Sequence, residues 1–172
     1  EWYGIYTDSN GSVTAVVLDG NGLVGELPES IGDMGYIDIY LSSNGLSGEV
    51  PSSAFRVNDI DLSRNSFTSI QEITDPDECF IRSFNLAENR LEGSLPEDIT
   101  CLPMLYSADL SYNYFTGEIP RSYSGLDVVH IILNNNFLSG KIPQGVLDSE
   151  WFKEAWPSVI SQKGLGFDLE DA

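Results

Sequence analysis

The chain has 172 residues, enough for one domain with a sizeable core, and its hydrophobic fraction of 41% is ordinary for a globular protein. Lysine and arginine total 8 against 27 aspartates and glutamates, which gives a formal net charge of −19 at pH 7. This charge argues against nucleic acid and anionic membrane surfaces as partners, and it permits basic proteins, neutral glycans or divalent cations.

The opening residues 1–12 precede the main pattern of the chain. The run Asp8-Ser9-Asn10-Gly11 is typical of a turn and predicts a first strand from about residue 13. No signal peptide is visible, and no apolar run is long enough to cross a bilayer. We therefore expect any secretion signal to lie upstream of these residues.

Asparagine recurs at nearly constant intervals through the middle of the chain. Subtracting the residue numbers gives steps of 23, 21, 24, 24 and 23 for Asn21, Asn44, Asn65, Asn89, Asn113 and Asn136. Apolar residues lie eight, five and three positions before each of these asparagines and two positions after it. The apolar positions at minus five and minus three alternate, which predicts a strand with one buried face. Such strands must stack to share a continuous core.

The recurring pattern is similar to the plant-type leucine-rich repeat, L-x-x-L-x-L-x-x-N-x-L-x-G-x-I-P, from Val13 to Pro143. The resemblance implies an α/β repeat solenoid, a curved right-handed superhelix with a parallel β-sheet on its concave face and irregular or short helical turns on its convex side. We expect an N-terminal cap at 1–12, about six repeats at 13–147 and a C-terminal cap at 148–172.

The N-terminal cap is expected from a second resemblance. The run from Trp2 to Asp8 is similar to the cap segment W-x-G-V-x-C-D of plant-type repeats. Thr7 stands where that family has cysteine, so the disulfide usual in that cap is not expected here.

The third unit departs from the pattern, because neither glycine nor proline follows Asn65 in Ser66-Phe67-Thr68-Ser69-Ile70. The acidic stretch 71–78 comes next. Its carboxylates can be interpreted as calcium ligands, but they lack the spacing of a known calcium loop. A solvated convex loop is the alternative.

Two cysteines, Cys79 and Cys101, fall on the returning segments of adjacent predicted coils. Stacked coils are about 4.8 Å apart and bridged cysteines about 5.5–6 Å apart, so a disulfide is geometrically plausible. Two free thiols are the alternative.

The C-terminal segment shows helical periodicity. Apolar residues recur at Trp151, Phe152, Ala155, Trp156, Val159 and Ile160. They predict an amphipathic helix that begins at Asp148 or Ser149, bends or ends near Pro157, and places its tryptophans in the core. Residues 164–169 are then expected to add a short strand. This ending resembles surface proteins of Bacteroides-like gut bacteria, which implies a secreted protein or a surface lipoprotein.

The outward positions of the predicted strands form columns along the sheet, at minus seven, six, four, two and one relative to each repeat asparagine. Tyrosine and arginine are enriched at binding hot spots, and the columns combine them with carboxylates. The predicted contact set is Asp38, Tyr40, Asp59, Asp61, Arg64, Arg82, Tyr106, Asp109, Tyr112 and His130. A merely hydrophilic exposed sheet face is the alternative.

These observations favour a non-catalytic binding module that recognises a protein, peptide or glycan and uses no cofactor, at the cell surface or secreted. A structural spacer of a larger surface protein is a second hypothesis. A glycan hydrolase that uses paired carboxylates such as Asp59 and Asp61 is a third. Catalysis is disfavoured, since the only histidine, His130, has no nucleophile set beside it by sequence, and no phosphate loop or zinc spacing occurs.

Overall fold

The computed structural model describes the backbone of residues 3–128, 130–159, 161–163 and 166–168. In chain order its strands are β1 (Ile5–Thr7), β2 (Val13–Val17), β3 (Val24–Glu26), β4 (Asp38–Tyr40), β5 (Gly45–Val50), β6 (Asp59–Asp61), β7 (Ser66–Ile70), β8 (Ser83–Asn85), β9 (Glu92–Gly93), β10 (Ser107–Asp109), β11 (Tyr114–Gly117), β12 (His130–Ile132), β13 (Phe137–Lys141) and β14 (Gly166–Asp168). The 3-10 helices are Glu29–Met34, Ser52–Arg56, Pro76–Glu78, Glu97–Cys101 and Arg121–Gly125, and the α-helices are α1 (Gln144–Asp148) and α2 (Glu150–Val159).

One seven-stranded sheet runs the length of the solenoid in the order β1-β2-β4-β6-β8-β10-β12. All its neighbouring strands are parallel except β1, which pairs with β2 as an antiparallel hairpin. Each repeat contributes one strand, so the residues five before successive asparagines stand opposite one another. The predicted leucine-rich-repeat fold, with its concave parallel sheet and short helical turns, is confirmed.

The core consists of the repeat positions that face inward from this sheet. The minus-five column is buried throughout, at Val16, Ile39, Ile60, Phe84, Ala108 and Ile131. The minus-three column is buried from Leu41 onward, and the position two after each asparagine is buried from Leu46 onward. The first coil is the exception, since Leu18 and Leu23 are only partly buried. The stacking inferred from periodicity therefore forms one continuous core.

The repeat asparagines form a hydrogen-bonded ladder along the inside of the turns. The Asn113 side chain donates from Nδ2 to the carbonyls of Leu86, Leu110 and Ser111, at 2.9, 3.2 and 3.1 Å. Its Oδ1 accepts from the backbone N–H of Leu91 at 3.0 Å. From Asn44 onward each repeat asparagine replaces partners that a turning backbone would otherwise lack, and it links its own coil to the coil before it.

The ladder ends on a glutamine that the repeat pattern did not reveal. Gln162 Oε1 accepts from the backbone N–H groups of Asn136 and Leu138, at 3.2 and 3.4 Å. Its Nε2 donates to the carbonyls of Leu133 and Val159. Gln162 thus occupies the place that the asparagine of a further repeat would take.

A second sheet, absent from the sequence prediction, lies on the far side of the asparagine turns. It has one part in the order β3-β5-β7 and another in the order β14-β13-β11-β9. The division falls at the irregular third unit, where the pairing of β5 with β7 also shifts register between Gly48 and Glu49. The strand predicted within 164–169 is present as β14, which pairs with β13; residues 164, 165 and 169 lie outside the described part of the chain.

One predicted column was wrong in the second unit. Tyr36, assigned to the inward minus-eight position, is 60% exposed, whereas Ile37, assigned to an outward position, is buried at 7%. Gly35 immediately before them has a φ of +72°, which turns the chain so that the next inward residue comes one position later. Val13, in the same column, is also exposed, because no coil precedes it among the described residues.

The two cysteines are free, so the alternative of two thiols holds and the disulfide is not formed. Cys79 is buried and its Sγ lies 3.6 Å from the carbonyl oxygen of Asp75, whereas Cys101 is exposed at the end of its 3-10 helix. The two side chains therefore occupy different environments despite lying on adjacent coils. Burial raises the pKa of the Cys79 thiol, which keeps it protonated and unreactive.

The predicted C-terminal helix is α2, which begins directly after Ser149 and ends two residues after Pro157. Trp151 and Phe152 are buried, and the Trp151 indole donates to the Tyr123 carbonyl at 3.0 Å, as expected for a core residue. The side chain of Trp156 and the whole of residues 2, 129 and 160 lie outside the described part of the chain. The division into caps and repeats at residues 12 and 147 stays a prediction.

The acidic stretch 71–78 contains a short 3-10 helix, Pro76–Glu78, on the convex side. Glu78 pairs with Arg56 at 2.6 Å, and the backbone N–H of Ile73 bonds to the Asp98 carboxylate at 2.6 Å. Among the described residues no group of three or more His, Cys, Asp or Glu side chains is arranged to hold a metal ion. Calcium binding by this stretch stays a prediction.

Candidate functional site

The register of the first sheet aligns the predicted outward columns across adjacent strands. The minus-six column runs through Asp38, Asp59, Ser83, Ser107 and His130, and the minus-four column through Tyr40, Asp61, Asn85, Asp109 and Ile132. Neighbouring strands in a sheet are about 4.8 Å apart, so each column is a continuous row of side chains on the concave face. We use "concave face" for these outward side chains of the seven-stranded sheet.

The ten predicted contact residues all project from this sheet or from the turns that follow its strands, but their exposure differs. Arg64, Arg82, Tyr106, Tyr112 and His130 are exposed, and the remaining five are half-buried within the columns. Arg82 and Tyr106 stand in the minus-seven column, where Tyr106 N–H bonds to the Arg82 carbonyl at 2.8 Å. The structure therefore brings the predicted set onto one surface. The arginines, His130, Tyr106 and Tyr112 are exposed there, and the aspartates lie lower, between them.

Two of the carboxylates also stabilise the strand ends. Asp61 Oδ1 accepts from the Ser63 N–H at 2.8 Å, and Asp109 Oδ1 accepts from the Ser111 N–H at 2.9 Å. Asn85, in the same column, accepts from Ala87 N–H at 3.0 Å in the same way. In these three repeats the side-chain oxygen accepts the bond whether or not it carries a negative charge.

Replacing Asp109 by asparagine is expected to raise stability at neutral pH. Burial is the main cause that raises the pKa of Asp109 above the usual 3.8, so the charged carboxylate is less favourable in the folded chain than in the unfolded chain. As the pH falls through the pKa that Asp109 has in the folded chain, the carboxylate becomes protonated and the wild-type chain regains this stability. Thermal melts of both proteins should show Asp109→Asn melting higher at pH 7, and the difference should vanish below the usual pKa.

Asp109→Ala is the control, because it removes both the charge and the oxygen that accepts from Ser111. It should melt below Asp109→Asn at every pH. An asparagine variant that melts below wild type at pH 7 would contradict the assignment.

A second carboxylate pair lies at the N-terminal end of the concave face. Asp38 and Asp59 stand opposite each other on β4 and β6, and the Asn58 amide donates to Asp38 Oδ1 at 2.6 Å and to Asp59 Oδ2 at 3.4 Å. Burial and the charge of Asp38 raise the pKa of Asp59, although Arg82 acts in the opposite direction. Burial and the neighbouring aspartates also raise the pKa of Tyr40. This region therefore resists further negative charge and favours a cation.

A cavity of about 350 Å³ opens at the edge of the same face, where the chain enters β8, β10 and β12. Its lining includes Arg82, Met104 and Tyr106 together with Leu126 and Val128. The Tyr106 ring stands edge-on to the His130 ring, with centroids 6.1 Å apart and an interplanar angle of 89°. The lining combines the Arg82 guanidinium, the Asp127 carboxylate and the Tyr106 ring with smaller apolar surfaces, which suits one aromatic partner side chain with a polar tip.

Arg64 and Tyr112 lie at the rim rather than in the centre of the face. Both adopt a φ of +55°, as the minus-one residues of the other described repeats also adopt positive φ. Arg64 forms an exposed ion pair with Glu88 at 3.0 Å. The Lys163 ammonium lies 6.0 Å from the centroid of the Tyr112 ring. These contacts leave Arg64 and Tyr112 less available than Arg82 and Tyr106.

Sequence reasoning missed three contributors to this surface. Asn58 links the two aspartates, and its own Oδ1 is buried without a hydrogen-bond partner among the described residues. Met104, which is 53% exposed, lines the cavity from a return segment. Lys163 approaches the rim from the C-terminal segment, with its ammonium 6.0 Å from the centroid of the Tyr112 ring. Asn58 lies in the minus-seven column, so its position in the repeat was a signal for the contact set. Met104 and Lys163 lie outside the repeat columns and gave no such signal.

Comparison with known proteins supports the repeat assignment. The sequence model of the Leucine Rich Repeat family matches residues 80–102 and 104–126. Receptor-like protein 31 of Arabidopsis thaliana is 35% identical over 92 residues, which are 52% of this chain and 11% of that protein. The chain spans only between 8% and 11% of the length of the first three curated relatives it matches. No helix in the described residues has the length and apolar character that crossing a membrane requires.

Two solved structures share the architecture. Pollen Receptor Kinase 3 superimposes with a TM-score of 0.74 at 30% identity, over 88% of this chain and 76% of that chain. The plant peptide hormone receptor RGFR1 in complex with RGF2 gives a TM-score of 0.65 at 29% identity, over 76% of this chain and 22% of that chain. The chain is therefore a leucine-rich-repeat protein whose homologues are plant receptor-like proteins.

Proposed function

We propose that this chain is an extracellular, non-catalytic recognition module that binds a protein or peptide partner on its concave face. The observation that carries the proposal is the seven-stranded sheet, whose aligned outward columns of carboxylates, Tyr40, Arg82 and Tyr106 are not covered by any other described element. Extended surfaces of this kind are what repeat solenoids offer to partners. The similar receptor RGFR1 is a peptide hormone receptor, which agrees with this proposal.

The charge of the surface favours a partner with basic groups. The formal charge of the chain is −19, and Asp38, Asp59 and Asp61 occupy adjacent positions on β4 and β6. Burial and then the charge of Asp38 raise the pKa of Asp59, and a lysine or arginine of the partner placed there would offset the repulsion from Asp38. The cavity beside Arg82 and Tyr106 is proposed to take an aromatic side chain with a polar tip from the same partner.

Binding should depend on a few of these side chains. Peptides selected on the immobilised chain from a random phage-displayed library should include basic sequences. Their affinity should fall at least about 30-fold for the combined variant Tyr40→Ala, Arg82→Ala and Tyr106→Ala, since one hot spot alone contributes about 2 kcal/mol. Fluorescence anisotropy with a labelled selected peptide measures the loss, and circular dichroism checks that the variant is folded.

A control variant removes the same residue types elsewhere. Tyr3, Tyr114 and Arg121 are exposed, and they lie outside the concave columns. Replacing all three by alanine should leave the affinity within about two-fold of wild type, because surface changes away from a contact have small effects. Selected peptides that bind equally well to the concave variant, or that lose affinity only in the control, would overturn the proposal.

A glycan-binding module, a structural spacer and a glycan hydrolase stay alternative hypotheses for further tests. Binding on a glycan array that is lost in the concave variant would replace the peptide by a glycan as partner. Turnover of a polysaccharide that is abolished by Asp59→Asn would establish the hydrolase. A bacterial surface location with a lipoprotein anchor also stays a prediction, and the homologues favour a plant-type extracellular location.

A further inference from the structure

The turn of the hairpin between β1 and β2 contains an acceptor sequence for a covalent modification. Asn10-Gly11-Ser12 is the only Asn-x-Ser or Asn-x-Thr sequence in the chain. This tripeptide is the acceptor of N-linked glycosylation in secreted proteins when it lies in an accessible loop. The repeat itself excludes such a run, since the residue two after each ladder asparagine is a leucine or phenylalanine required by the core.

The hairpin presents this run to solvent in a fixed turn. Asp8 Oδ1 accepts from the backbone N–H groups of Asn10 and Ser12, at 2.8 and 2.9 Å, and Asp8 N–H bonds to the Ser12 carbonyl at 2.9 Å. Gly11 has a φ of +84°, which a residue with a side chain would rarely adopt. Residues 8–12 are all exposed. Within the described chain, neither the Asn10 amide nor the Ser12 hydroxyl forms a hydrogen bond, so both are available to a modifying enzyme.

We propose that Asn10 is a site of N-linked glycosylation, an inference that rests on the extracellular location proposed above. The donor is a lipid-pyrophosphate-linked oligosaccharide. The Asn10 amide nitrogen, Nδ2, forms a bond to the anomeric carbon of the sugar, and the bond from that carbon to the pyrophosphate oxygen breaks. The amide gives up one proton, and the lipid pyrophosphate leaves.

The position of the glycan leaves the Arg82 cavity of the proposed contact surface open. The hairpin is formed by the first two strands of the sheet. Arg82 and Tyr106 directly precede β8 and β10, and His130 is the first residue of β12. Strands β2 and β8 are three steps apart in the sheet, which corresponds to about 15 Å. A glycan on Asn10 therefore lies nearer to Asp38 and Tyr40 on β4, the strand next to β2, than to a partner side chain in the Arg82 cavity.

The same position lets the glycan protect an open edge. Among the described residues β1 is the terminal strand of the sheet; Tyr6 within it is 57% exposed, and Tyr3 and Val13 beside it are 92% and 41% exposed. Exposed edge strands with apolar neighbours promote pairing between chains. A bulky hydrophilic oligosaccharide next to this edge would keep two copies from joining there.

The test is expression of the full chain behind a secretion signal in a eukaryotic host, followed by intact mass spectrometry of the secreted protein. We expect one glycan that peptide-N-glycosidase removes, leaving aspartate at position 10. Asn10→Gln and Ser12→Ala should both abolish it, Ser12→Thr should keep it, and Asn21→Gln should have no effect. Secreted wild-type protein with unmodified Asn10 in its peptide map would overturn the assignment.

Two further measurements separate the parts of this inference. Sedimentation velocity should show more self-association after deglycosylation, and identical sedimentation of both forms would refute the protection of β1. The affinity for a selected basic peptide should be the same for Asn10→Gln and glycosylated wild type, and a higher affinity of Asn10→Gln would show that the glycan obstructs binding and would refute the open cavity. Because the mass measurement needs no ligand, glycosylation can succeed or fail independently of the proposed binding function.

Discussion

Asn113→Ala should lower the free energy of unfolding by about 3 kcal/mol or more, because it leaves several buried backbone groups without partners. The Asn113 side chain is completely buried and bonds to one backbone N–H and three carbonyls on two coils. For a domain of this size the loss corresponds to a melting temperature lower by about 6–12 °C. Urea denaturation followed by circular dichroism measures it.

Asn21→Ala is the matched control for this prediction. Asn21 occupies the same repeat position, but it is exposed and its side chain donates only to the Asp19 carbonyl. Its replacement should change stability by less than about 0.5 kcal/mol. Similar losses for both variants would mean that the ladder position, and not its burial and bonding, determines the effect.

Phe84→Ala should destabilise the chain by about 3–5 kcal/mol, the range for truncation of a buried aromatic ring. Phe84 is 1% exposed and packs edge-on against Phe55, with ring centroids 5.4 Å apart. Its neighbour in register on β10 is Ala108, whose methyl group cannot fill the space that the ring would leave. The unfolding free energy of the variant, measured by urea denaturation, gives the magnitude.

Tyr106→Ala provides the contrast on the opposite face of the same sheet. Tyr106 is 51% exposed. Its truncation should lower the free energy of unfolding by about 1 kcal/mol or less, well below the loss expected for Phe84→Ala. A larger loss at Tyr106 than at Phe84 would place the core on the wrong side of the sheet. The pair of variants therefore tests which face of each strand is buried.

The strand register could be predicted from the sequence because every repeat carries the same apolar positions. Counting back from each asparagine correctly placed Ile39 opposite Ile60 and Phe84 opposite Ala108, since stacked coils must align their inward residues. The count failed at Tyr36 and Ile37, where Gly35 at positive φ shifts the chain by one position. Periodicity reports the average coil and does not detect a local change in backbone conformation.

The second sheet and the end of the ladder could not be predicted in the same way. Strands such as Gly45–Val50 and Phe137–Lys141 contain glycine and charged residues, so their sequence lacks the alternation that indicates a half-buried strand. Gln162 follows Asn136 by a spacing longer than the repeat and is a different residue type. Its longer side chain reaches the same backbone groups only because α2 brings the chain back across the last coil.

The sequence predicted which residues share the candidate surface, but not which contacts their side chains form there. Column counting placed Asp61 and Asp109 on the concave face, yet it could not show that both accept backbone hydrogen bonds at the strand ends. It also could not show that Arg64 pairs with Glu88. Such contacts depend on side-chain conformation across neighbouring coils, whereas Arg82 and Tyr106 gain their importance from a cavity completed by the return segment around Met104.

The most direct test of the account is a crystal structure of the chain bound to a peptide selected from the phage library. We predict that the peptide lies across the concave face, with a basic residue within about 4 Å of Asp38 or Asp59 and an aromatic side chain in the cavity beside Arg82 and Tyr106. A peptide bound to the 3-10 helical turns of the convex side, with the concave face empty, would contradict the central claim.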